Sequence, residues 1–557
     1  MKLKLIAIAG LLASSTLLAL GADGVPVNDK DTVVIFGDSI TEQNMYAAFI
    51  ETYLLSRFPK KDLTVYNFGW SGDTAPGGNS RFKRDVEPVK PTLVFVDFGM
   101  NDGGYRPFDQ GIFDRYLGGQ KALAESIKAA GAREVLVTTS PIDYDKRADK
   151  DVYNDTLSQM ADGVIKLGKE IDVPVIDMFH AMREIQKQVK DKNPGFTMIP
   201  DAVHPDAVGH LIMAYLILKG VDAPHVIGNI VASPKELKSA DGCKVENFKA
   251  AETSCEFDLT PPFIPFYVPP AARRALDFVP FQSDLNVFTL KVEQWDPEMS
   301  CGIVVDGKDT GSIFTSAQLA AGIDLSRVDE APWSVQGRSL WEQAVFRWGR
   351  HYDAWRTMGL NAPENLRALP SFKTMIAGEK DFVRDLGASM KELAQPKTYH
   401  VSLVQRFDLQ FSQVELSPLY PYKDEFDARL APETEPDNVK WQWAPMTQNA
   451  IDFTQIFPNP TYCAVYARVI LESDSDVKMH LTLGSDDGLK VIVNGKDVLS
   501  KNVTRGLHLG DDAADIDLVK GRNTLLFKVT QGGGGYGLAV APKLESKAKV
   551  KQVLPAK

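Results

Sequence analysis

The chain has 557 residues, of which 44% are hydrophobic and 24% are charged. These values are typical of globular proteins and exclude a collagen-like, coiled-coil or largely disordered chain, while the length predicts about three or four domains. The formal net charge of −11 disfavours binding to nucleic acid or to anionic membranes, because an acidic surface repels both.

The first 22 residues have the order of a secretory signal peptide. Two lysines precede an apolar segment from Leu5 to Leu20, and the small residues Gly21 and Ala22 follow it. The alternative is a membrane anchor, but the run is shorter than the ~20 apolar residues that a span requires. We therefore expect residues 1–22 to be removed, and the mature protein to be secreted or periplasmic and without a transmembrane segment.

Between Asp31 and Gly220, short apolar runs alternate with segments of helical periodicity. The runs are TVVIF, TVYNF, TLVFVDF, EVLVTTS and VPVIDMF. This alternation is typical of βαβ units, in which parallel strands form one sheet and helices cover both of its faces. The sequence therefore predicts an α/β domain over residues 27–225.

A small β-rich domain is predicted over residues 226–330, where short β-rich runs surround the hairpin turn signal Asp306-Gly307. Residues 331–397 are predicted to form a helical segment. Its Trp341, Trp348 and Trp355 recur every seven residues, so they share one helical face, which is more typical of packing than of ligand binding.

The last region, residues 398–542, contains regularly spaced short strands and the strong hairpin signal Asn494-Gly495. This pattern predicts a C-terminal antiparallel β-sandwich. The pair Asp486-Asp487 lies in a turn between two of its strands, where such a composition is more often structural than calcium-binding. Residues 543–557 are rich in lysine and lack periodicity, which predicts a flexible tail.

The four cysteines lack the spacing of a zinc site. Cys243 and Cys255 are close in sequence, and either a disulfide or two free thiols fits the sequence. Cys301 and Cys463 lie in strand-like segments and are expected to be buried thiols.

A candidate nucleophile, Ser39, follows the first apolar run in the segment FGDSIT, residues 36–41. A serine between a strand and a helix lies at the carboxyl edge of the sheet, where ligands bind in open α/β folds. Taken alone, Gly-Asp-Ser before a helix is equally typical of an ordinary capping turn. Three further segments distinguish the two interpretations.

These segments supply the other groups that acyl transfer needs. Gly72, in NFGWSGDT, follows the second strand and offers a backbone N–H, and Asn101, in GMND, follows the third strand and offers a side-chain amide. His204, in DAVHP, precedes the last helix and has the carboxylate of Asp201 three residues upstream.

The four segments, in this order, resemble those of the SGNH (GDSL-type) serine hydrolase superfamily over residues 31–220. The resemblance implies a three-layer α/β hydrolase domain with a parallel sheet. It also implies a triad of Ser39, His204 and Asp201, and an oxyanion hole made by the N–H groups of Ser39 and Gly72 with the Asn101 amide. This chemistry requires no metal and no cofactor.

Two aromatic residues near these segments, Trp70 and Tyr105, are candidates for lining the substrate pocket, with packing as the alternative. Asp38, Asp73 and Asp102 flank the catalytic positions and are expected to hold loops through backbone hydrogen bonds.

An ester on an extracellular carbohydrate, such as an O-acetyl group on a polysaccharide, is the predicted substrate. The C-terminal region resembles the β-sandwich modules of secreted bacterial carbohydrate-active proteins. The alternatives are a lipase, thioesterase or arylesterase that acts on small acyl esters and, in another class, a non-catalytic surface or carbohydrate-binding protein. The intact set of five catalytic residues argues against the last of these. Acyl and alcohol specificity and the oligomeric state are left open by the sequence.

Overall fold

The computed structural model describes residues 24–146, 151–233, 235–251, 254–295, 300–406, 409–421, 426–447, 449–457, 461–544, 548 and 550–554. The predicted signal peptide lies outside the described residues. No helix among the residues described is long and apolar enough to cross a membrane.

The α/β domain is built on a five-stranded sheet in which every pairing is parallel. In spatial order its strands are Thr64–Asn67, Thr32–Gly37, Leu93–Phe98, Arg133–Thr138 and Val175–Ile176. The central strands are buried along almost their whole length, as expected when helices cover both faces. The chain leaves Thr32–Gly37 for the strand on one side and then crosses to the other side, which makes the carboxyl end of this strand a topological switch point.

Helices alternate with these strands, as the sequence predicts. They are Ser39–Glu42, Met45–Arg57, Ala75–Asp85, Gln110–Ala129, Val152–Ile171, Met178–Lys192 and Ala207–Lys219, with 3₁₀ turns at Glu87–Val89 and Tyr144–Lys146. A short parallel pairing of Val25–Pro26 with Val221–Asp222 joins the two ends of the domain. The predicted α/β class with a parallel sheet is therefore confirmed.

Two long helices, Pro332–Tyr352 and Pro370–Leu393, pack on this domain and are called the helical pair below. A π-helical turn, Asp353–Thr357, and a short helix, Glu364–Arg367, connect them. Trp348 is buried in the same apolar core as the α/β domain, and Trp341 and Trp355 pack against that core. The predicted packing role of the tryptophan face is confirmed.

The small β domain has two sheets around its own apolar core. One sheet contains Lys244–Ala251, Ser254–Thr260, Tyr399–Arg406, Ser300–Val305 and Lys308–Thr315, and the other contains Ile323–Asp324, Val287–Val292, Val226–Ala232 and Leu237–Asp241. The short helical elements of this region are Pro270–Asp277, Phe281–Leu285, Ser316–Ala321 and Leu325–Arg327.

One strand corrects the predicted boundary at residue 398. Tyr399–Arg406 pairs with Ser254–Thr260 on one side and with Ser300–Val305 on the other, so it belongs to the small β domain and not to the C-terminal module. The local sequence pattern identifies Tyr399–Arg406 as a strand but does not identify its partners, because its pairing with Ser300–Val305 joins segments about 100 residues apart in the chain.

The C-terminal module is a β-sandwich with a separate apolar core. One sheet contains Gln442–Pro445, Gln413–Leu416, Cys463–Ser473, Gly521–Gln531, Leu489–Val493, Lys496–Lys501, Tyr420–Pro421 and Val550–Gln552, and the other contains Ala450–Asp452, Gly537–Leu544, Val477–Asp486 and Asp512–Leu518. Helical turns lie at Ala431–Thr434, Pro436–Asn438 and Phe453–Gln455. The predicted hairpin at Asn494-Gly495 is confirmed, because both residues have positive φ, at 49° and 79°, as a tight primed turn requires.

Part of the predicted flexible tail is a strand. Val550–Gln552 pairs antiparallel with Leu471–Ser473, and the Val553 N–H donates to Ile470 O at 2.9 Å. The pairing satisfies backbone groups that the long strand Cys463–Ser473 would otherwise leave exposed. This part of the tail is therefore bound to the module.

All four cysteines are free thiols. Cys301 and Cys463 are buried, as predicted. Cys255 is also buried, whereas the sulfur of Cys243 lies against Gly228 in the other sheet of the small β domain. The open question of a bridge between Cys243 and Cys255 is therefore answered by two thiols that face different neighbours.

A buried carboxyl group, that of Glu134, lies near the amino ends of the parallel strands. It lines a cavity of about 1000 Å³ and is 7% exposed. Neither of its carboxyl oxygens has a hydrogen-bond partner among the described residues. Burial raises the pKa of Glu134 to about 8, so the carboxyl is largely neutral in the folded protein at pH 7.

This burial predicts a pH-dependent stability. The folded protein keeps the Glu134 proton up to about pH 8, whereas the unfolded chain releases it near the ordinary value of 4.5. The free energy of unfolding should therefore fall by up to about 5 kcal/mol across that window, since one pKa unit is worth about 1.36 kcal/mol. Urea denaturation at several pH values should show a decline that is shallower by up to this amount in Glu134→Gln than in wild type, and an unchanged decline in the exposed control Glu125→Gln. If the free energy of unfolding changes with pH in the same way in wild type and in Glu134→Gln, the predicted contribution of Glu134 is contradicted.

Candidate active site

Ser39 is the first residue of the helix Ser39–Glu42, which begins where the buried strand Thr32–Gly37 ends. Asp38 caps this helix, because its Oδ1 accepts a hydrogen bond from the Ile40 N–H at 2.9 Å. The first N–H groups of a helix have no intrahelical partner, and the Ser39 N–H has no acceptor among the described residues. Ser39 therefore presents both a hydroxyl and a free N–H at the carboxyl edge of the sheet.

His204 and Asp201 meet Ser39 from the segment before the helix Ala207–Lys219. His204 Nε2 lies 2.9 Å from Ser39 Oγ, and His204 Nδ1 lies 2.7 Å from Asp201 Oδ2. Asp201 Oδ1 also accepts the N–H groups of Val203 and His204, at 2.9 and 2.7 Å. Burial opposes the ionisation of Asp201, but these donors and the imidazole outweigh it and hold the pKa of Asp201 below its ordinary value. An ionised Asp201 orients the ring so that Nε2 faces the serine.

The loop Gly69–Asp73 brings Gly72 to the same edge. The Trp70 N–H donates to Gly37 O at 3.0 Å, which fixes the loop against the end of the strand Thr32–Gly37. Gly72 has a φ of +75°, a Cβ placed there would meet no atom within 4 Å, and its N–H has no acceptor among the residues described. A glycine is therefore required for the backbone conformation, and its N–H is free.

Asn101 lies beside this loop. Its Nδ2 donates to Asp73 O at 2.9 Å and lies 3.4 Å from Asp38 Oδ2, while its Oδ1 accepts the Tyr105 hydroxyl at 3.0 Å. The structure thus brings Asn101 next to Asp73, which follows Gly72, and next to Asp38, which precedes Ser39. The contact with Asp38 is long for a hydrogen bond, so this N–H is the more easily redirected of the two.

The aromatic candidates have different surroundings. The Tyr105 ring packs on Tyr153, with the ring centroids 5.0 Å apart, while its hydroxyl contacts Asn101. The Trp70 ring lies under the guanidinium of Arg356, whose carbon is 3.2 Å from the ring centroid, and against the edge of Trp355. Both residues therefore lie next to the candidate oxyanion donors, and each is also packed.

Arg81 has a positioning role that the sequence does not indicate. Its Nε donates to Asp73 Oδ2 at 2.6 Å, and its Nη2 donates to Gly37 O and Phe68 O at 3.2 and 2.9 Å. One buried guanidinium thus connects the strand Thr32–Gly37 with both ends of the loop Gly69–Asp73. In the sequence, Arg81 lies on the helix Ala75–Asp85 and belongs to no motif, so nothing there distinguishes it from a surface arginine.

Three buried carboxyls lie behind Ser39. Burial raises the pKa of Asp38 to about 7 and that of Asp102 to about 7, and burial together with the nearby Asp38 raises the pKa of Asp97 well above its ordinary value. Asp102 Oδ1 accepts the Ala75 N–H and Asp73 Oδ1 accepts the Thr74 N–H, each at 2.9 Å, so the predicted backbone hydrogen bonds are confirmed for Asp38, Asp73 and Asp102. Within the described residues, no three or more His, Cys, Asp or Glu side chains are arranged to hold a metal ion.

A second Ser-His-Asp arrangement is a useful comparison. His180 Nε2 lies 3.1 Å from Ser158 Oγ, and His180 Nδ1 lies 2.9 Å from Asp177 Oδ2. Ser158, however, lies in the interior of the helix Val152–Ile171, where backbone N–H groups are consumed by helical hydrogen bonds. Of these two arrangements in the described part of the chain, the one at Ser39 combines the three side chains with free N–H groups, so it is the candidate active site.

Known proteins resemble the segment that carries this site. Residues 35–212 match the model of the GDSL-like Lipase/Acylhydrolase family. An acetylxylan esterase of Geobacillus stearothermophilus is 24% identical over 217 residues, which cover 35% of this chain and 95% of that enzyme. A GDSL esterase/lipase of Oryza sativa subsp. japonica is 23% identical over 215 residues, which cover 35% of this chain and 78% of that protein.

A solved structure extends the likeness beyond this segment. It is described as a gut microbial diltiazem-metabolizing enzyme, is 23% identical, and aligns with a TM-score of 0.60 over 69% of this chain and 99% of its own. At this level of identity the match shows a shared fold. The shared fold therefore includes residues outside 35–212.

The exposed carboxylate of Asp201 leads to a graded prediction. We expect Asp201→Asn to lower kcat for p-nitrophenyl acetate by roughly 100-fold, less than the about 10⁴-fold cost at a buried triad aspartate. The Asp201 side chain is 57% exposed, so solvent screens its interaction with His204. Asp177→Asn, in the second Ser-His-Asp arrangement, is the matched control and should leave kcat unchanged. An equal loss of kcat in Asp201→Asn and Asp177→Asn would contradict the assignment of the candidate active site to the Ser39 arrangement.

Proposed function

We propose that this chain, an ester-hydrolysing enzyme whose residues 35–212 form a GDSL-type acylhydrolase domain, cleaves its substrate by acyl transfer to Ser39. The observation that supports this most strongly is the line of contacts from Ser39 Oγ through His204 to Asp201, at 2.9 and 2.7 Å. His204 Nε2 takes the Ser39 proton while Oγ attacks the ester carbonyl carbon and a tetrahedral intermediate forms.

The intermediate then collapses. The bond to the alcohol oxygen breaks, and His204 gives its proton to the departing alcohol. Water attacks the acyl-enzyme while His204 takes a proton from it, and the second intermediate releases the carboxylic acid and returns the proton to Ser39 Oγ. Atoms and charge balance without a metal or an organic cofactor.

The developing oxyanion is stabilised by three donors in this proposal. They are the free N–H groups of Ser39 and Gly72 and the Nδ2 amide of Asn101, which turns from its long contact with Asp38 towards the substrate oxygen. Each such donor is worth about 3 kcal/mol in the transition state, because it is oriented before the charge appears.

The proposed substrate is an O-acetyl ester on an extracellular carbohydrate. Support comes from a relative named as an acetylxylan esterase, from the β-sandwich module and from the leader-like segment, residues 1–22, which favours a secreted or periplasmic enzyme. The alternative is a lipase, thioesterase or arylesterase acting on small acyl esters. The relative from Oryza sativa that is named as an esterase/lipase supports this alternative. The fold itself does not distinguish these substrates.

The nucleophile is tested by a pair of serine variants. We expect Ser39→Ala to abolish hydrolysis of p-nitrophenyl acetate and labelling by a fluorophosphonate, because it removes the attacking oxygen at a helix end that tolerates alanine. Ser158→Ala removes the serine of the second arrangement and should retain both. Residual turnover above a small fraction of wild type in folded Ser39→Ala, or labelling of Ser158, would overturn the proposed nucleophile.

The contribution of the C-terminal module is tested by truncation. Its core is separate from that of the catalytic domain, so we expect a chain that ends at residue 408 to keep kcat/KM for p-nitrophenyl acetate nearly unchanged. Hydrolysis of acetylated xylan should fall, because a module that holds polymer raises the local substrate concentration. Equal losses on both esters with a lowered Tm would instead indicate that the module stabilises the enzyme, and no loss on either would refute tethering.

A further inference from the structure

The helix that starts with Ser39 ends at Glu42, and this carboxylate joins two distant parts of the chain. Its Oε2 accepts a hydrogen bond from the Ser71 N–H, next to Gly72. Its Oε1 accepts the hydroxyl of Tyr352 at 2.6 Å, and Arg356 Nη1 lies 3.8 Å from the same oxygen. The glycine loop is therefore held by an acceptor whose position depends on residues about 310 positions later in the sequence.

The same region of the chain covers the other side of the loop. The Arg356 guanidinium stacks on Trp70, and the Trp355 ring packs edge-on against both Trp70 and Phe68, with centroid distances of 5.9 and 4.9 Å. Nε and Nη1 of Arg356 are buried and have no hydrogen-bond partner among the described residues. Arg356 thus acts on the loop through stacking and through its charge near Glu42.

These residues are presented by an irregular turn on a rigid support. Trp355 and Arg356 lie in the π-helical turn Asp353–Thr357, a rare geometry that is frequent at functional sites. The preceding helix is anchored by Arg347, which is 3% exposed and donates to Glu51 Oε1 at 2.8 Å and to Val65 O at 3.1 Å.

Gly72 itself has no such support. A Cβ at this position would meet nothing within 4 Å, so the direction of its N–H is fixed only through its neighbours in the loop. We propose that Glu42, Tyr352 and Arg356 are positioning residues that hold the loop Gly69–Asp73 so that the Gly72 N–H points at the oxyanion. This inference rests on the proposed function and assigns to the helical pair a part in the catalytic site that lies outside the matched segment 35–212.

The proposal predicts a loss confined to the transition state. Tyr352→Phe removes the donor to Glu42, and Glu42→Gln leaves a single acceptor oxygen for two donors. A displacement of about 1 Å in a catalytic group costs on the order of 100-fold, so we expect each variant to lower kcat by about 10-fold to 100-fold with KM unchanged. The double variant should lose no more than the larger single loss, because both act through one contact.

The test measures kcat and KM for p-nitrophenyl acetate, the Ki of a trifluoromethyl ketone and the Tm of the full-length enzyme. The ketone forms a tetrahedral adduct whose oxygen occupies the oxyanion site, so its Ki should rise in proportion to the loss in kcat. The matched control is Tyr399→Phe, which removes a buried phenol hydrogen bond to Gln336 on the same helix and should change neither kcat nor Ki.

Unchanged kcat in both folded variants would overturn the inference. A lowered kcat with an unchanged Ki for the ketone would also overturn it, because a merely structural role would not selectively weaken binding of the tetrahedral adduct. Failure of this inference is distinguishable from failure of the proposed function. If only the inference fails, Ser39→Ala is still inactive; if the proposed function fails, Ser39→Ala is active. If either variant does not fold, the remaining one decides the outcome.

Discussion

The hydrogen bond between Ser39 Oγ and His204 Nε2 joins positions 165 residues apart, and the site depends on both ends being fixed. Ser39 is fixed because a buried strand ends in a capped helix, so backbone sterics and the Asp38 cap determine where its hydroxyl points. His204 is held by its own N–H and its Nδ1, which both contact Asp201, and the segment between these two residues is connected to the domain by the Asp143 N–H, which donates to Ala202 O at 3.0 Å. Ser39 is thus supported by the core and His204 by a short loop, in which the Asp201 side chain is 57% exposed.

The electrostatics behind Ser39 follow from burial. Asp38, Asp97 and Asp102 are removed from water, so each holds its proton more tightly than an exposed carboxyl. Asp73 forms an ion pair with the buried Arg81, whose Nε lies 2.6 Å from its Oδ2. Arg81 Nη2 donates to the carbonyls of Gly37 and Phe68, so the cation that pairs with Asp73 also connects the loop to the strand Thr32–Gly37.

Much of the catalytic domain is predictable from the sequence, because its determinants are local. Apolar runs of the right length identify the five parallel strands, and the carboxyl ends of such strands meet at one edge, which places Ser39, Gly72 and Asn101 together. What the sequence does not predict is the pairing of distant segments. Tyr399–Arg406 joins the small β domain, Val550–Gln552 joins the module, and the helical pair joins the catalytic core. The first of these is visible in the sequence as a strand and the last as amphipathic helices, whereas Val550–Gln552 lies in a segment without periodicity. In all three cases the partner depends on complementary surfaces that no local pattern encodes.

The helical pair shows how an element outside the matched segment 35–212 can stabilise a loop of the candidate active site. Ser71 and Gly72, in the middle of the loop Gly69–Asp73, are exposed, and exposed loop segments are the least stable parts of a fold. Packing it beneath Trp355 and Arg356 transfers the rigidity of a helix to the loop, because that helix is anchored to Glu51 by a buried ion pair. Removing one partner of such a pair costs about 3–5 kcal/mol, since the other charge is left buried. The added helices and the catalytic domain are therefore coupled energetically, and the matched segment 35–212 is best regarded as part of a larger folding unit.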